Sequence, residues 1–168
     1  MDEGGEQRRF LDLVTAHQRI LHKVCNLYAE GPGDRQDLRQ EILLQLWRSF
    51  PSFRGDAAVT TWMYRVALNT ALLRRRKRRP EAPLPDPDEV AAAPRDDPER
   101  EHEVRALYAC IRELPAVDRA IILLYLEEQS YDEIAGTMGL SRSNVSVRIV
   151  RAKKRLQQCL VARGCQRE

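Results

Sequence analysis

The residues with the clearest chemical purpose lie between Ser141 and Leu156, in the string SRSNVSVRIVRAKKRL. Arg142, Arg148, Arg151, Lys153, Lys154 and Arg155 stand there with no acid among them. Val145, Ile149, Ala152 and Leu156 recur at the spacing of one helix face, so they are the predicted buried stripe. At about 100° per residue, Ser143, Val147, Val150, Arg151 and Lys154 then point the other way. Two valines on a polar outer face are wasteful uncovered; thymine methyls in a DNA major groove would cover them, and the alternative is a second core contact on a basic helix that closes a small bundle. Arg151 can donate there to guanine or to a phosphate. Arg142, Arg148, Lys153 and Arg155 flank the face and suit phosphates.

Bond-making chemistry has no matching constellation. There is no G-x-x-x-x-G-K-[ST], no H-E-x-x-H and no glycine-rich dinucleotide turn, and the three histidines are scattered. Neither an enzyme nor a cofactor is expected. Cys25, Cys110, Cys159 and Cys165 form no C-x-x-C pair, and His22 with Cys25 lacks a second ligand pair. No metal site is expected, and the thiols are expected to be reduced, in a cytoplasmic protein. The polar N-terminus MDEGGEQRRF carries no leader-like pattern. No apolar run reaches the roughly 20 residues a membrane helix needs, so membrane insertion is not expected.

The elements that must hold these residues read as helices throughout. Phe10, Val14, His17, Leu21, Val24 and Tyr28 recur at threes and fours, predicting one amphipathic helix that ends at GPGD. A second is predicted from Asp34, with Leu38, Ile42, Leu46 and Trp47 on one face. A third runs from about Thr60 to Arg78, with Trp62, Val66, Ala67, Leu72 and Leu73 apolar. It ends in the basic run RRRKRR, from Arg74 to Arg79. Six of the nine prolines then fall in residues 80–98 among many acids, which predicts an extended linker. Beyond it come helices lined by Val104, Leu107, Tyr108 and Ile111, by Ile121, Leu124 and Tyr125, and a short one over Tyr131–Met138. Gly139 supplies the turn, small Ala135 lets two helices cross closely, and Ser141 caps the last helix. Ile134, Met138, Leu140 and Val145 are the expected shared core of a helix-turn-helix. The fold class is all-α, in two small helical domains joined by a flexible acidic Pro-rich linker. Two basic surfaces around an acidic tether suit a polyanion gripped at two points.

Two strings carry a family resemblance. DRQDLRQEILLQLWRSFPSFRGDAAVTTWMYRVALNTALLRRRKRR resembles domain 2 of bacterial sigma factors of the extracytoplasmic-function group, group IV of the sigma-70 family. LPAVDRAIILLYLEEQSYDEIAGTMGLSRSNVSVRIVRAKKRL is similar to their domain 4. The resemblance implies a domain 2 over residues 10–79, a linker over 80–102 and a domain 4 over 103–160. It also implies the work: binding core RNA polymerase through its clamp and flap regions, directing it to promoters and promoting initiation. Domain 4 would read the −35 element as duplex, and domain 2 would hold the −10 element as a single strand.

On this resemblance, Asp37, Gln40, Glu41, Leu44 and Trp47 match the stretch that docks on the clamp, although Trp47 can equally be core. Acids beside an apolar edge suit a basic partner helix. Phe53, Gly55 and Asp56 match the loop that pockets an unstacked −10 base. Asn69 would face the −10 DNA, and Arg74, Arg75 and Arg76 its phosphates. Trp62 is expected to be core rather than a strand-separating wedge. At Leu73 relatives often carry a polar residue, so no contact is carried over there. Arg142, Ser143, Asn144, Ser146, Val147, Arg148, Val150, Arg151 and Lys154 form the −35 set. Asn144, Ser146 and Val147 depart from the residues frequent in relatives, so the sequence read need not be a familiar one. The resemblance further implies an anti-sigma factor as partner. The alternative reading is a stand-alone helix-turn-helix regulator that binds duplex sites without polymerase.

Overall fold

The computed structural model describes residues 3–55, 58–78 and 97–165, which form helices and turns with no strand among them. The chain is all-α, as expected. It gathers into two compact units, Met1–Pro83 and Leu84–Glu168.

The first unit contains α1 (Glu3–Ala16), α2 (Gln18–Tyr28), α3 (Gly31–Ser49), a single 3-10 turn (Phe50–Ser52) and α4 (Val59–Lys77). The helix predicted across Phe10–Tyr28 is in fact two, parted at His17. Phe10 and Val14 before the break and Leu21 and Val24 after it are all buried, so the apolar spacing runs through without disclosing it. GPGD does not separate helices; Gly31 and Pro32 open α3. Proline is tolerated there because first-turn amides have no partner inside the helix.

The core of this unit joins Leu21 and Val24 of α2, Leu38, Ile42 and Leu46 of α3, and Met63, Ala67, Leu68 and Ala71 of α4. Each large aliphatic side chain buried this way contributes about 1.5–3 kcal/mol. On α4 the sequence pointed partly to the wrong side: Leu73 is exposed and Trp62 only half-buried. Apolar residues encircle this helix, and packing against α2 and α3 selects which of them go inside.

The second unit contains α5 (Pro98–Arg112), α6 (Ala116–Leu126), α7 (Tyr131–Met138) and α8 (Arg142–Ala162). The Asp97 side chain accepts from the amides of Glu99 and Arg100, so α5 starts at Pro98, ahead of the predicted boundary at 103. Residues 80–96 of the predicted linker lie outside the described residues. Ser130 and Glu133 close a capping box on α7. Gly139 takes φ 66°, where a side chain would be strained, and the Leu140 amide donates back to the Ala135 carbonyl at 3.0 Å. The Ser141 hydroxyl then accepts the Asn144 amide at 3.2 Å and starts α8. Ile134, Val145, Ile149, Ala152 and Leu156 are buried, while Met138 and Leu140 are only partly so.

The expectation of reduced thiols fails for one pair. Cys110 of α5 and Cys159 of α8 are disulfide-bonded, with Cα atoms 5.9 Å apart. They are 49 residues apart in sequence, so no local spacing announces the pair; only the packing of α5 on α8 does. A bridge closing a loop of this length typically adds about 2–4 kcal/mol. Reduction, or Cys159→Ser, should lower the melting transition of the second unit accordingly in calorimetry of the whole chain. An unchanged transition would mean that packing alone holds α5 to α8. Cys25 is free and buried, and burial pushes its thiol up to about 11, which leaves it unreactive.

Candidate nucleic-acid and protein interfaces

On α3, Leu38, Ile42 and Leu46 face inward. At 100° per residue, Asp37, Gln40, Glu41, Leu44 and Trp47 fall on the opposite side, within about a third of the circumference. All five are exposed. Leu44 keeps 46% of its surface and Trp47 40%. Trp47 is therefore not core and not on the face of Leu38, Ile42 and Leu46 where the sequence set it; its ring packs edge-to-face with Phe10 at 5.0 Å and is stacked with Phe50 at 6.4 Å. Two apolar side chains lie open among two carboxylates, a combination suited to a basic, partly apolar helix.

Trp62 opens a second face, on α4. Trp62, Arg65, Asn69, Leu73 and Arg76 share one side of that helix, opposite Met63, Ala67 and Ala71. Phe53 stacks on Trp62 with centroids 4.7 Å apart, and Phe50 lies 6.4 Å from the same ring. Gly55 takes φ 75° in the loop that follows Phe53. Asp56 lies outside the described residues. Phe53, Trp62 and Asn69 thus come from one loop and one helix to a common aromatic and polar surface. Arg65 belongs to it and was missed in the sequence, although its spacing of three and four residues from Trp62 and Asn69 marks it.

The basic run at the end of α4 divides. Arg75 and Arg76 are exposed. Arg74 is mostly buried and tied to α3: Nη2 pairs with Asp34 Oδ1 at 2.8 Å and Nη1 donates to the Asp34 carbonyl at 3.3 Å. Its Nε lies 3.6 Å from Glu41, and Arg78 reaches the same Asp34 oxygen at 2.7 Å. Burial opposes the charge of Asp34, yet the Glu30 amide and the two arginines together hold its carboxyl below the usual range. A depressed carboxylate contributes stability above its unfolded pKa and loses it as pH falls through the folded value. Asp34→Asn should cost about 1–3 kcal/mol at neutral pH. It should also remove part of the acid-induced loss seen in wild type below about pH 4. Identical acid melting of the two proteins would show that Asp34 does not hold α4.

On α8 the buried stripe is Val145, Ile149, Ala152 and Leu156, as expected from the sequence. Ser143, Val147, Val150, Arg151 and Lys154 are exposed on the far side, with Val147 at 47% and Val150 at 64%. Arg142 is exposed beside Asp132 at 3.5 Å, and Ser146 is half-buried on the same flank. Lys153 donates to the Tyr125 hydroxyl at 2.6 Å, which raises its pKa. Arg148 is engaged within the unit, with Asp118 of α6 at 2.7 Å and with Asn144 at 2.8 Å. Nothing in the sequence signals that link, because Asp118 is 30 residues away.

Among the described residues no group of His, Cys, Asp and Glu could hold a metal ion, and no helix is long and apolar enough to cross a membrane.

Known proteins bear on both units. Residues 13–81 match the family described as Sigma-70 region 2, and residues 104–156 match Sigma-70, region 4. The chain is 32% identical over 159 residues to the ECF RNA polymerase sigma factor SigM of Mycobacterium tuberculosis, covering 93% of this chain and 79% of that protein. It is 36% identical over 168 residues to the ECF RNA polymerase sigma-E factor of Escherichia coli, covering 89% and 85%. Among solved structures, CnrH in complex with the cytosolic domain of CnrY matches with a TM-score of 0.66 at 25% identity, covering 93% of this chain and 90% of that one. The sigma factor RpoE in complex with the anti-sigma factor NepR, from Bartonella quintana, matches with a TM-score of 0.65 at 20% identity, covering 92% and 95%. This last likeness concerns the fold.

Proposed function

We infer the working arrangement of this chain from one premise: it belongs to the sigma-70 family of RNA polymerase sigma factors. It is an alternative sigma factor, which binds core RNA polymerase, directs it to specific promoters and promotes transcription initiation. Within the family it is a member of the extracytoplasmic-function group, group IV. Residues 10–79 act as domain 2, residues 80–102 as a linker and residues 103–160 as domain 4.

The observation that carries the assignment of surfaces is that each unit leaves apolar side chains exposed beside charged ones on a single helix face. Leu44 and Trp47 lie among Asp37 and Glu41, and this stripe docks on a basic helix of the polymerase clamp. Val147 and Val150 lie among Arg151 and Lys154, and this face enters the major groove of the −35 element. Phe53 and Trp62 form the stacking floor for an unpaired −10 base, with Gly55 and Asp56 in its loop. Asn69 reads the neighbouring edge, and Arg65, Arg75 and Arg76 hold the strand by its phosphates. Arg74 serves this face indirectly, by fastening α4 to α3. Domain 4 also meets the polymerase flap. The chain works in the cytoplasm, where an anti-sigma factor covers these surfaces until they are needed. The complex of CnrH with the cytosolic domain of CnrY supports a protein partner of this kind.

The test is transcription from a library of genomic promoters by core polymerase with and without the full chain. New start sites that share two upstream elements at fixed spacing are expected. Absence of any chain-dependent start, with folded protein, would reject the reading.

A further inference from the structure

We propose that Arg148 is a positioning residue that sets the base preference of Asn144, and that Asp118 holds it in place for that purpose. This rests on α8 being the promoter-reading helix. Arg148 Nη1 donates to Asp118 Oδ1 at 2.7 Å, where Asp118 is only 13% exposed. Its Nε donates at 2.8 Å to Asn144 Oδ1, one helical turn earlier. A guanidinium has donors only, so Asn144 must turn its carbonyl oxygen to Arg148. One lone pair of that oxygen is then occupied, and a cation lies against it. What the exposed side chain retains for a partner is its NH2 group and a second lone pair, whose acceptance the adjacent cation weakens.

The chemical consequence is specific. Asparagine at a reading helix typically pairs bidentately with adenine, accepting from N6 and donating to N7. That pairing draws on the same carbonyl oxygen, which must accept a second hydrogen bond beside the guanidinium. With Arg148 on the oxygen, acceptance from adenine N6 is disfavoured, while donation to guanine O6 and N7, or to thymine O4, remains. Asn144 stands in the first turn of α8, the part of such a helix that reaches base edges. The base it meets is therefore selected against one whose pairing with Asn144 requires donation from the base, and Asp118, two elements away in the fold, holds the arginine that imposes this.

Arg148→Lys separates this role from a structural one. Lysine can keep the ion pair with Asp118 but cannot also donate Nε to Asn144. The experiment places the full chain and core polymerase on promoters randomised across the upstream element, and compares wild type, Arg148→Lys, Asn144→Ala and the double variant. Wild type should prefer guanine or thymine over adenine about tenfold at one base pair. Arg148→Lys should reduce this to about threefold or less with the melting temperature kept, and Asn144→Ala should remove the preference at that same position. In the double variant Arg148→Lys should change nothing further there. The inference is overturned if Asn144→Ala weakens all sequences equally, which would make Asn144 a phosphate contact. It is overturned too if Arg148→Lys leaves the base preference intact, or alters it equally in the Asn144→Ala background. If wild type yields no promoter-specific starts, the reading of α8 itself fails and this inference fails with it; initiation with an unmoved preference fails the inference alone.

Discussion

Leu44→Asp combined with Trp47→Ala should weaken the complex with core RNA polymerase about a thousandfold. Both side chains are apolar, exposed and adjacent on α3 with no role in filling the core, so their burial must await a partner. Anchors of this type cost about 2 kcal/mol or more each when truncated at an interface, and two of them bring the loss to about 4 kcal/mol. Stability should respond less. Leu44 gives up no core contact, and Trp47 gives up its edge-to-face contact with Phe10 and its stacked contact with Phe50, about 0.5–1.5 kcal/mol each. Glu41→Lys should act in the same direction through charge, and because Glu41 is half-exposed beside Arg74 its folding cost is small. Binding to immobilised core enzyme alongside calorimetry separates the two effects. Full-strength binding by a folded double variant would exclude this face of α3 as the docking surface.

Val150→Glu should reduce promoter-dependent initiation about a hundredfold while leaving the affinity for core polymerase unchanged. Val150 is the most open apolar residue on α8, so the substitution costs the fold little. Against a duplex it removes an apolar contact and sets a carboxylate facing phosphates. Each lost base contact costs about 1–3 kcal/mol, and the added repulsion brings the sum to about 3 kcal/mol. Arg151→Ala should fall short of this, because it withdraws a donor without adding a like charge. Start-site counts on the promoter library, normalised to bound polymerase, measure both variants. If Val150→Glu initiates as wild type does, the outer side of α8 does not enter the groove. The two sets of variants thus fail at different steps, one before the polymerase is engaged and one after.

Much of this was legible in the residues. Periodicity of 3.6 gave the helices, and on α8 it set Val145, Ile149, Ala152 and Leu156 inward and Ser143, Val147, Val150, Arg151 and Lys154 outward, as they are found. Local chemistry was equally plain: Ser141 caps, Gly139 turns left-handed, and Ser130 with Glu133 forms a capping box that the spacing S-x-x-E already announces. On α4 the same rule faltered. Apolar residues ring that helix, and Trp62, expected in the core, is only half-buried, while Met63 and Leu68 fill the core.

Sequence alone determined the all-α class, the helix-turn-helix and the opposed polar and apolar faces of α8, since all of these depend on neighbours within a few residues; on α3 it set Trp47 on the wrong face. Tertiary structure alone decided which cations are free. Arg74 answers to Asp34, Arg148 to Asp118, and Cys110 to Cys159, at separations of 40, 30 and 49 residues. A side chain's charge is written in its type. Whether that charge meets a phosphate or a carboxylate depends on which helix folds against it, and no local pattern carries that information.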